Sequence, residues 1–258
     1  KELEATYDRE RLRQLGDILT ANLHRIVKGQ TSVQCEDFYD EEMRPVDIPI
    51  SPILSPNQNA AKYYKDYARM KNAEKELTKQ LELGRLELDY LKSVLEELNR
   101  AGTEGELEEI RRELQEGGYL RPDTDRKRMK QAKLPPMRFE STDGYPIYVG
   151  RNNRQNDKLT TKEGQKWDIW LHTQKIHGSH VLLCTDGGEA DEQSLHEAAV
   201  LAVYYSQARS STKVPVDYTP VKFVKKPAAS RPGMVVYTTY QTMYVDPDGE
   251  LVKKLGKK

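Results

Sequence analysis

The stretch that decides the fold of the first half of the chain is YYKDYARMKNAEKELTKQLELGRLELDYLKSVLEEL, residues 63–98. Its apolar residues recur at alternating intervals of four and three, and nine of the eleven positions in this series are apolar. Such spacing predicts a coiled-coil seam, here sustained for about five heptads. The series consists of Tyr63, Tyr67, Met70, Glu74, Leu77, Leu81, Gly84, Leu88, Leu91, Leu95 and Leu98.

Start and stop signals bound this predicted helix. Ser55 is the expected N-cap and Pro56 occupies the first helical position, where its missing N–H costs nothing. The sequence NRAG at residues 99–102 closes the helix, and the acidic stretch at residues 103–117 predicts a second, shorter helix.

An upstream arm with the same spacing is the predicted partner of the long helix, and Lys28-Gly29 is a typical C-terminal signal for it. Residues 31–50 alternate and then turn, which predicts a β-hairpin at the tip of a helical hairpin. The upstream arm is the shorter one, and we expect its base to lie before Lys1. The positions that share the spacing are Leu12, Leu15, Leu19, Asn22 and Ile26.

A polar, basic linker is predicted over residues 119–136, between a coiled-coil domain at 1–118 and a compact domain at 137–258. The compact domain has one predicted helix, roughly Glu192 to Arg209. The fold class is therefore α+β: a long antiparallel coiled-coil hairpin with a β-hairpin tip at about 30–50, followed by a compact α+β domain. Its predicted strands are residues 145–150, 168–172, 180–185, 215–226 and 233–245.

The net charge of zero conceals an uneven distribution. Residues 1–119 hold 18 Lys and Arg against 25 Asp and Glu, a net charge of −7, and residues 120–258 hold the compensating +7. A basic half of this kind favours nucleic acid as a partner. The two cysteines, Cys35 and Cys184, form no CxxC pair, and no apolar run or signal peptide predicts a membrane or secretory protein.

The sequence GRNNRQNDKLT, residues 150–160, crowds planar hydrogen-bonding groups into a predicted loop. Asn and Gln amides donate and accept together, and Arg offers a bidentate fork, which suits phosphates and base edges. A loop tied by Asx-turns is the other interpretation of the same residues. The candidate RNA-binding residues of this segment are Arg151, Asn152, Asn153, Arg154, Gln155, Asn156 and Lys158.

The sequence DIWLHTQKIHGSH, residues 168–180, is the second candidate. Trp170 is either a platform on which a base stacks or an anchor of the core, and His172 would reach a phosphate. The backbone amides of Gly178 and Ser179 would hold an anion as a nest does, next to His180. No metal-ligand spacing and no G-x-S-x-G context surrounds these histidines, so neither a metal or other cofactor nor a catalytic residue is predicted.

A third candidate set interleaves basic residues with Tyr204, Tyr205 and Tyr218. This combination is typical of surfaces that bind structured or single-stranded RNA, although most basic runs are only solvated faces. The candidate residues are Arg209, Lys213, Lys222, Lys225, Lys226 and Arg231.

Several long motifs resemble the NFACT family. GRNNRQNDKLT, DIWLHTQKIHGSHVLL, YYSQARSSTKVPVDYTPVKFVKKP and RPGMVVYTTYQT are similar to its RNA-binding-type domain, NFACT-R. LGDILTANLHRI and LSPNQNAAKYYKDYARMKNAEK resemble the coiled-coil middle of its bacterial members, also called fibronectin-binding protein A-like. One departure is that Gln174 stands where the family commonly has lysine, and His177 where it commonly has proline.

This resemblance implies a cytoplasmic ribosome quality-control factor. Family members bind a large ribosomal subunit that is still obstructed by peptidyl-tRNA, and bacterial ones recruit alanine tRNA to add an untemplated alanine tail. The expected partners are therefore rRNA, a protein of the stalk base and tRNA, with no membrane. Peptide bonds form at the ribosome's own centre, so we expect a binding protein without a cofactor and not an enzyme. The alternative that the family label suggests is a surface adhesin that binds fibronectin.

Overall fold

The computed structural model describes residues 3, 8–27, 29–122 and 134–256. Its contacts divide the chain into two compact units, Lys1–Leu86 and Glu87–Lys258. The division falls within one long helix, α2 (Pro56–Arg100).

The first unit combines helix α1 (Arg9–Ala21), an antiparallel hairpin of β1 (Ser32–Glu36) and β2 (Pro45–Pro49), and the beginning of α2. The predicted β-hairpin is confirmed. Alternate hairpin residues face a small core that also contains one side of α1 and the first turns of α2, because successive side chains of a strand point to opposite faces. The buried core residues are Ile18, Leu19, Ile26, Val33, Cys35, Ile48, Ile50 and Ala60.

Helix α1 and helix α2 approach closely at Gly16. A Cβ atom on Gly16 would lie 3.0 Å from the Tyr64 ring, so glycine is what lets the aromatic ring approach α1 this closely. The neighbouring Asp17 accepts hydrogen bonds from the hydroxyls of Tyr39 (2.6 Å) and Tyr64 (2.7 Å). These two hydrogen bonds lower the pKa of the Asp17 carboxyl and connect α1 to both the hairpin and α2.

Helix α1 ends earlier than its periodicity predicts, at Ala21 instead of near residue 28. The Asn22 side chain donates to the Ile18 carbonyl at 2.9 Å. The backbone N–H of Asn22 donates to the Leu19 carbonyl, three residues back, as in a 3₁₀ turn. A 3₁₀ turn, Leu23–Arg25, follows. Asn therefore competes for the helix carbonyls and stops the helix, as this residue type often does. The predicted stop residue Lys28 lies outside the described residues.

Helix α2 begins and ends where the sequence predicts. The Gln58 N–H donates to the Ser55 hydroxyl, and the Gln58 side chain accepts from the Ser55 N–H, so the two residues cap each other. Within the described residues, however, the predicted seam is covered only near its start, where Tyr63 contacts the hairpin core. Its later leucines are 37–55% exposed: Leu81, Leu88, Leu91, Leu95 and Leu98. The upstream extension that would cover them stays a prediction.

In the second unit, the last turns of α2 pack against helix α3 (Glu104–Glu116), which is the predicted short acidic helix. Thr103 and Glu106 form a capping box at its N-terminus. Tyr90, Val94 and Ile110 are the buried apolar residues between the two helices. Of the predicted linker, residues 123–133 lie outside the described residues, while its described ends, at 119–122 and 134–136, contact α3 or the residues beside it.

A six-stranded antiparallel sheet and a separate two-stranded hairpin form the body of the second unit. The strands are β3 (Met137–Glu140), β4 (Pro146–Val149), β5 (Ile169–Thr173), β6 (Val181–Leu183), β7 (Val214–Pro220), β8 (Val224–Lys225), β9 (Val236–Tyr237) and β10 (Gln241–Val245). The order in the sheet is β10-β7-β5-β6-β4-β3, and β8 pairs with β9 in the hairpin. Strand β3 was not predicted, and the hairpin is formed by parts of the predicted strands 215–226 and 233–245.

Both faces of this sheet are covered. Helix α5 (Glu192–Tyr204) and helix α6 (Gly249–Leu255) pack on one face, against residues such as Leu171 and Val181. The opposite face carries a second cluster around Trp170 and Leu182. This second cluster is covered by the segment after β4, by the turn after β7 and by the β8–β9 hairpin.

Three elements differ from their predicted form. Helix α5 ends at Tyr204, because Ser206 takes a turn conformation in which its hydroxyl bonds back to the Val203 carbonyl at 2.8 Å. The predicted strand over 215–226 is interrupted by a 3₁₀ turn, Val221–Phe223. Helix α6 was not predicted at all, since it is short and its apolar stripe has few members.

Candidate nucleic-acid interface

The segment at residues 150–160 is helical and not a loop, which corrects the prediction. Helix α4 (Asn153–Lys158) is followed by a π-helical turn, Leu159–Glu163. The Asn152 side chain accepts the Gln155 N–H at 2.9 Å, and the Gln155 side chain accepts the Arg151 N–H at 3.1 Å. Two of the planar side chains that the sequence offers for RNA therefore serve to cap a helix.

Helix α4 also faces a row of four glutamates on α3, spaced three and four residues apart: Glu106, Glu109, Glu113 and Glu116. This spacing places the carboxylates on one side of the helix. Arg151 donates to Glu106 at 2.5 Å, and Arg154 forms a two-pronged ion pair with Glu116. Arg151, just before α4, and Arg154 within it are therefore paired with glutamates of α3 and are not free for phosphate.

The amides of α4 bind the same row. The Asn152 side chain donates to Glu109 at 2.6 Å, and the Gln155 side chain donates to the same carboxylate at 3.2 Å. Asn153 is buried, and its amide donates to the Ser93 hydroxyl at 3.0 Å. These hydrogen bonds use the amide donors that were predicted to bind base edges. The segment is therefore an internal joint of the second unit, by which we mean the contact of α4 and the residues before it with α2 and α3.

Buried carboxyl groups lie at the centre of this joint. Burial raises the pKa of Glu113, which accepts the Tyr90 hydroxyl at 2.8 Å. Burial, with the nearby Glu113 carboxyl adding to it, raises the pKa of Glu97 well above its ordinary value. Glu106 behaves in the opposite way: burial opposes its ionisation, but hydrogen bonds from the Gly102 N–H and from Arg151 lower its pKa.

The remaining predicted residues of α4 bind within the domain as well. The buried side chain of Asn156 accepts the His180 N–H at 3.0 Å, and it fills the space that a Cβ atom on Gly150 would need. Lys158 pairs with Glu163, at the end of the π-helical turn.

Trp170 is the core anchor, not the stacking platform, because only 1% of it is exposed. Its indole lies parallel to the His172 ring at 5.7 Å between centroids, and meets His180 edge-on at 5.2 Å. Burial lowers the pKa of His172 to about 4 and lowers the pKa of His180 well below its ordinary value. Both rings are therefore neutral near pH 7 and offer no positive charge to a phosphate, contrary to the expectation for His172.

Ser179 is part of the same interior and forms no anion nest. Its N–H donates to the Tyr205 carbonyl and its hydroxyl donates to the Gly150 carbonyl, and the residue is fully buried. The guanidinium of Arg100, from the end of α2, donates to the Ser179 hydroxyl at 2.7 Å and to the Tyr205 carbonyl at 3.0 Å. Burial lowers the pKa of Arg100.

The third candidate set separates into paired and unpaired cations. Arg209 lies 3.8 Å from Glu96, and Lys226 pairs with Asp157 of α4. Arg231 lies over the ring of Tyr119 at 5.4 Å, close to Glu87. By contrast, the exposed side chains of Lys213, Lys222 and Lys225 have no acidic partner among the described residues.

Sequence reasoning missed one exposed feature of this region, the pair Lys166 and Trp167. Both lie in the turn that leads into β5, and about half of the Trp167 side chain is exposed. The sequence does show this feature: Lys166 and Trp167 form a basic–aromatic pair just before the predicted strand. The pair precedes the alternation of Asp168, Trp170 and His172 and does not belong to it.

No group of three or more His, Cys, Asp or Glu side chains within the described residues could hold a metal ion. No helix within them is long and apolar enough to cross a membrane. Cys35 and Cys184 are both free thiols, and burial raises the pKa of Cys184 to about 12.

Two family models together match nearly the whole chain. Residues 1–133 match NFACT N-terminal and middle domains, and residues 136–238 match the NFACT protein RNA binding domain. The Rqc2 homolog RqcH of Bacillus subtilis is 40% identical over 259 residues, which cover 100% of this chain and 45% of that protein. The protein of the same name from Streptococcus pneumoniae is 40% identical over 258 residues, with 100% and 46% covered. The chain thus spans less than half the length of these relatives.

A solved structure is similar over almost the entire chain as well. It is the C-terminal part of the fibronectin/fibrinogen-binding protein from Streptococcus suis, with a TM-score of 0.77 and 33% sequence identity. The match covers 99% of this chain and 87% of that one.

Proposed function

The chain belongs to the NFACT family, and from that premise we propose that it acts in ribosome-associated quality control. In this proposal it binds the obstructed large ribosomal subunit and tRNA, and it supports the untemplated alanine tailing of the stalled nascent chain. The observation that carries the proposal is the 40% identity to RqcH proteins across the whole chain, together with the RNA-binding domain match. Peptide bonds form at the ribosome's own centre, so the chain contributes binding and no catalysis.

The distribution of charge supports RNA as the partner of the second unit. Residues 120–258 carry the net charge of +7, and the glutamate row of α3 pairs with Arg151 and Arg154 among their cations. The lysines that have no acidic partner in the described ranges are left to attract phosphates. Shaped RNA, such as rRNA or tRNA, would be held mainly by these backbone contacts.

The tip of the hairpin supports a protein partner for the first unit, and a stalk-base protein is the one proposed. Phe38, Tyr39 and Met43 are large apolar residues that stay 41–59% exposed at this tip. The exposed carboxylates of Glu41 and Glu42 lie beside them. Aromatic and Met side chains next to charge are typical of protein–protein interfaces.

Co-sedimentation with purified large ribosomal subunits at two salt concentrations tests this function. We expect the chain to pellet with large but not small subunits, and the bound fraction to fall steeply with salt, because counterions are released on phosphate binding. Small subunits and free rRNA of the small subunit are the matched controls. Equal pelleting with both subunits would reduce the proposal to non-specific RNA binding, and no pelleting at low salt would refute it for this chain.

A second candidate function is that of a surface adhesin that binds fibronectin. This function would place the protein outside the cell, whereas ribosome binding requires the cytoplasm. The observation that favours it is the likeness to the Streptococcus suis fibronectin/fibrinogen-binding protein. Immobilised fibronectin, with albumin as the control surface, tests this candidate. Saturable binding to fibronectin that survives excess RNA would favour it over the ribosome.

A further inference from the structure

The turn at residues 165–168 holds Lys166 and Trp167 at its two central positions. The Asp168 N–H donates to the Gln165 carbonyl at 3.1 Å, and the Gln165 N–H donates back to the Asp168 carboxylate at 2.8 Å. The other carboxylate oxygen of Asp168 accepts the Thr185 N–H at 3.2 Å. Because the buried carboxylate of Asp168 ties the turn to the β-sheet, the two central residues have a fixed backbone.

Trp167 is 49% exposed on this rigid turn, whereas Trp170, three residues later, is buried. Tryptophan is buried on average to a high degree, and its large flat ring costs free energy when water surrounds it. A single exposed apolar residue needs no explanation by itself. The fixed backbone and the lysines of the adjoining segments are what distinguish this position.

Cations surround the turn. The Lys222 N–H donates to the Lys166 carbonyl at 3.3 Å, so the turn lies beside the 3₁₀ turn after β7. The Lys222 ammonium lies 5.0 Å from the centre of the Phe223 ring. Lys162 precedes the turn in the π-helical segment, and Lys225 follows the 3₁₀ turn in β8. Within the described ranges none of the four lysines Lys162, Lys166, Lys222 and Lys225 has an acidic partner.

Three acids near the turn have other partners. Glu163 is bound to Lys158, and Asp157 is bound to Lys226. Asp168 is buried and its carboxylate accepts two backbone N–H groups. What remains is an exposed indole on a turn that adjoins lysines without an acidic partner in the described ranges. We call this surface the Trp167 platform; it consists of Lys166, Trp167, Lys222 and Phe223.

We propose that the Trp167 platform binds an unpaired nucleotide of single-stranded RNA. The base stacks on the indole, and Lys166 and Lys222 contact the phosphates on either side of that nucleotide. An unpaired nucleotide is required, because the face of a base inside a duplex is already covered by its neighbours. The proposal rests on the proposed function only for the source of the RNA, which would be rRNA or tRNA of the obstructed particle.

Fluorescence titration with a single-stranded RNA decamer tests the platform directly. Base stacking quenches an exposed indole, so we expect the emission of Trp167 to fall on RNA addition while the buried Trp170 stays unchanged. Replacing Trp167→Ala should weaken binding about tenfold, as loss of one base–aromatic stack does. Trp167→Phe should retain part of the affinity, because a phenyl ring still stacks. RNA binding of variants that lack Trp167 is followed by fluorescence anisotropy of a labelled decamer.

Matched controls lie at the opposite end of β7. Tyr244 is also an exposed aromatic residue, and it is paired with Pro215, whereas the platform adjoins the end of the strand at Pro220. Tyr244→Ala should therefore leave RNA affinity unchanged. Lys222→Glu and Lys213→Glu change the net charge equally, and only Lys222→Glu should cause a large loss. These lysine variants also test the platform if Trp167→Ala fails to fold.

The outcomes distinguish this proposal from the proposed function. If Trp167→Ala binds the decamer like the parent, or if duplex RNA quenches Trp167 as well as the decamer does, the platform is refuted. Equal losses in Lys222→Glu and Lys213→Glu would refute a localised site in favour of diffuse charge. Quenching by an acidic peptide but not by RNA would refute it in favour of a protein partner. In each case, co-sedimentation of the parent with large subunits decides separately whether the proposed function holds.

Discussion

The substitution Glu109→Ala should weaken the contact between α4 and α3. The Glu109 carboxylate accepts three hydrogen bonds: from the Leu134 N–H at 2.9 Å, and from the side chains of Asn152 at 2.6 Å and Gln155 at 3.2 Å. A hydrogen bond to a charged group contributes about 1.5–3 kcal/mol, but this residue is partly exposed and the donors can turn to water. We therefore expect unfolding free energy to fall by about 2–3 kcal/mol in total.

A double-mutant cycle isolates the contact between Glu109 and Asn152. Asn152 also caps α4, so Asn152→Ala alone removes a cap worth about 1 kcal/mol as well as the bond. The cycle cancels the cap and leaves the coupling energy of the pair, which we expect to be about 1 kcal/mol. Urea unfolding of the parent, the two single variants and the double variant measures all four free energies.

Glu104→Ala is the matched control, because Glu104 is an exposed glutamate on the same helix that lies outside the row. It should lower the unfolding free energy by no more than about 0.5 kcal/mol, through loss of its charge near the helix N-terminus. Strictly additive effects of Glu109→Ala and Asn152→Ala would refute the reasoning. So would a Glu109→Ala variant as stable as the Glu104→Ala control, since the joint would then contribute nothing.

The remaining predictions concern pH, backbone space and the hairpin tip. Burial lowers the pKa of His172 to about 4 in the folded state, so the unfolded chain binds a proton more readily as the pH falls from 6.5 towards 4. We expect about 3 kcal/mol of the unfolding free energy, present above pH 6.5, to be lost over this range, and urea unfolding of the parent and of His172→Gln between pH 7 and 5 measures the difference. Gly178→Ala should lower the unfolding free energy by more than about 1 kcal/mol, because the new Cβ atom would lie 2.7 Å from the Cβ atom of Ser206. Thermal unfolding measures the loss, and the control is Gly188→Ala, where the new Cβ atom would lie 3.3 Å from a carbonyl oxygen. Replacing Glu41 and Glu42 with Lys should weaken co-sedimentation with large subunits without changing stability, and unchanged pelleting would remove the tip as a docking surface.

The long helix and the hairpin could be predicted because their signals are local. The alternation of four and three fixes the period of α2, and Ser55 with Pro56 fixes where it begins. The end of α1 could not be read from the same period, because the Asn22 side chain competes with the helix for the Ile18 carbonyl. Whether a residue stops a helix in this way depends on a hydrogen bond that periodicity does not reveal.

The predictions for the site failed where they depended on exposure. Trp170 and His172 alternate as expected on β5, but the face they share is covered by the π-helical turn and by the β8–β9 hairpin. Successive side chains of a strand point to opposite faces whether or not those faces are covered, so their alternation alone cannot say which side chains reach a ligand. The glutamate row of α3 was visible in the sequence as carboxylates spaced three and four apart. Its partner was not, because nothing in the sequence states that α3 lies beside α4.

The chemistry of α4 explains why its residues resemble an RNA site. A glutamate carboxylate and a phosphate present similar oxygens, and Arg, Asn and Gln bind both with the same donors. Such residues therefore predict an anionic partner without identifying it, and in this chain α3 supplies the anion. The surface left for RNA must then be where cations lack an internal partner, which is why the lysines around Trp167 carry the inference and Arg151 and Arg154 do not. If Glu109→Ala weakened the joint and at the same time strengthened RNA binding, the two anions would be shown to compete for one set of donors; unchanged RNA affinity in a folded Glu109→Ala variant would instead confine α4 to its structural role.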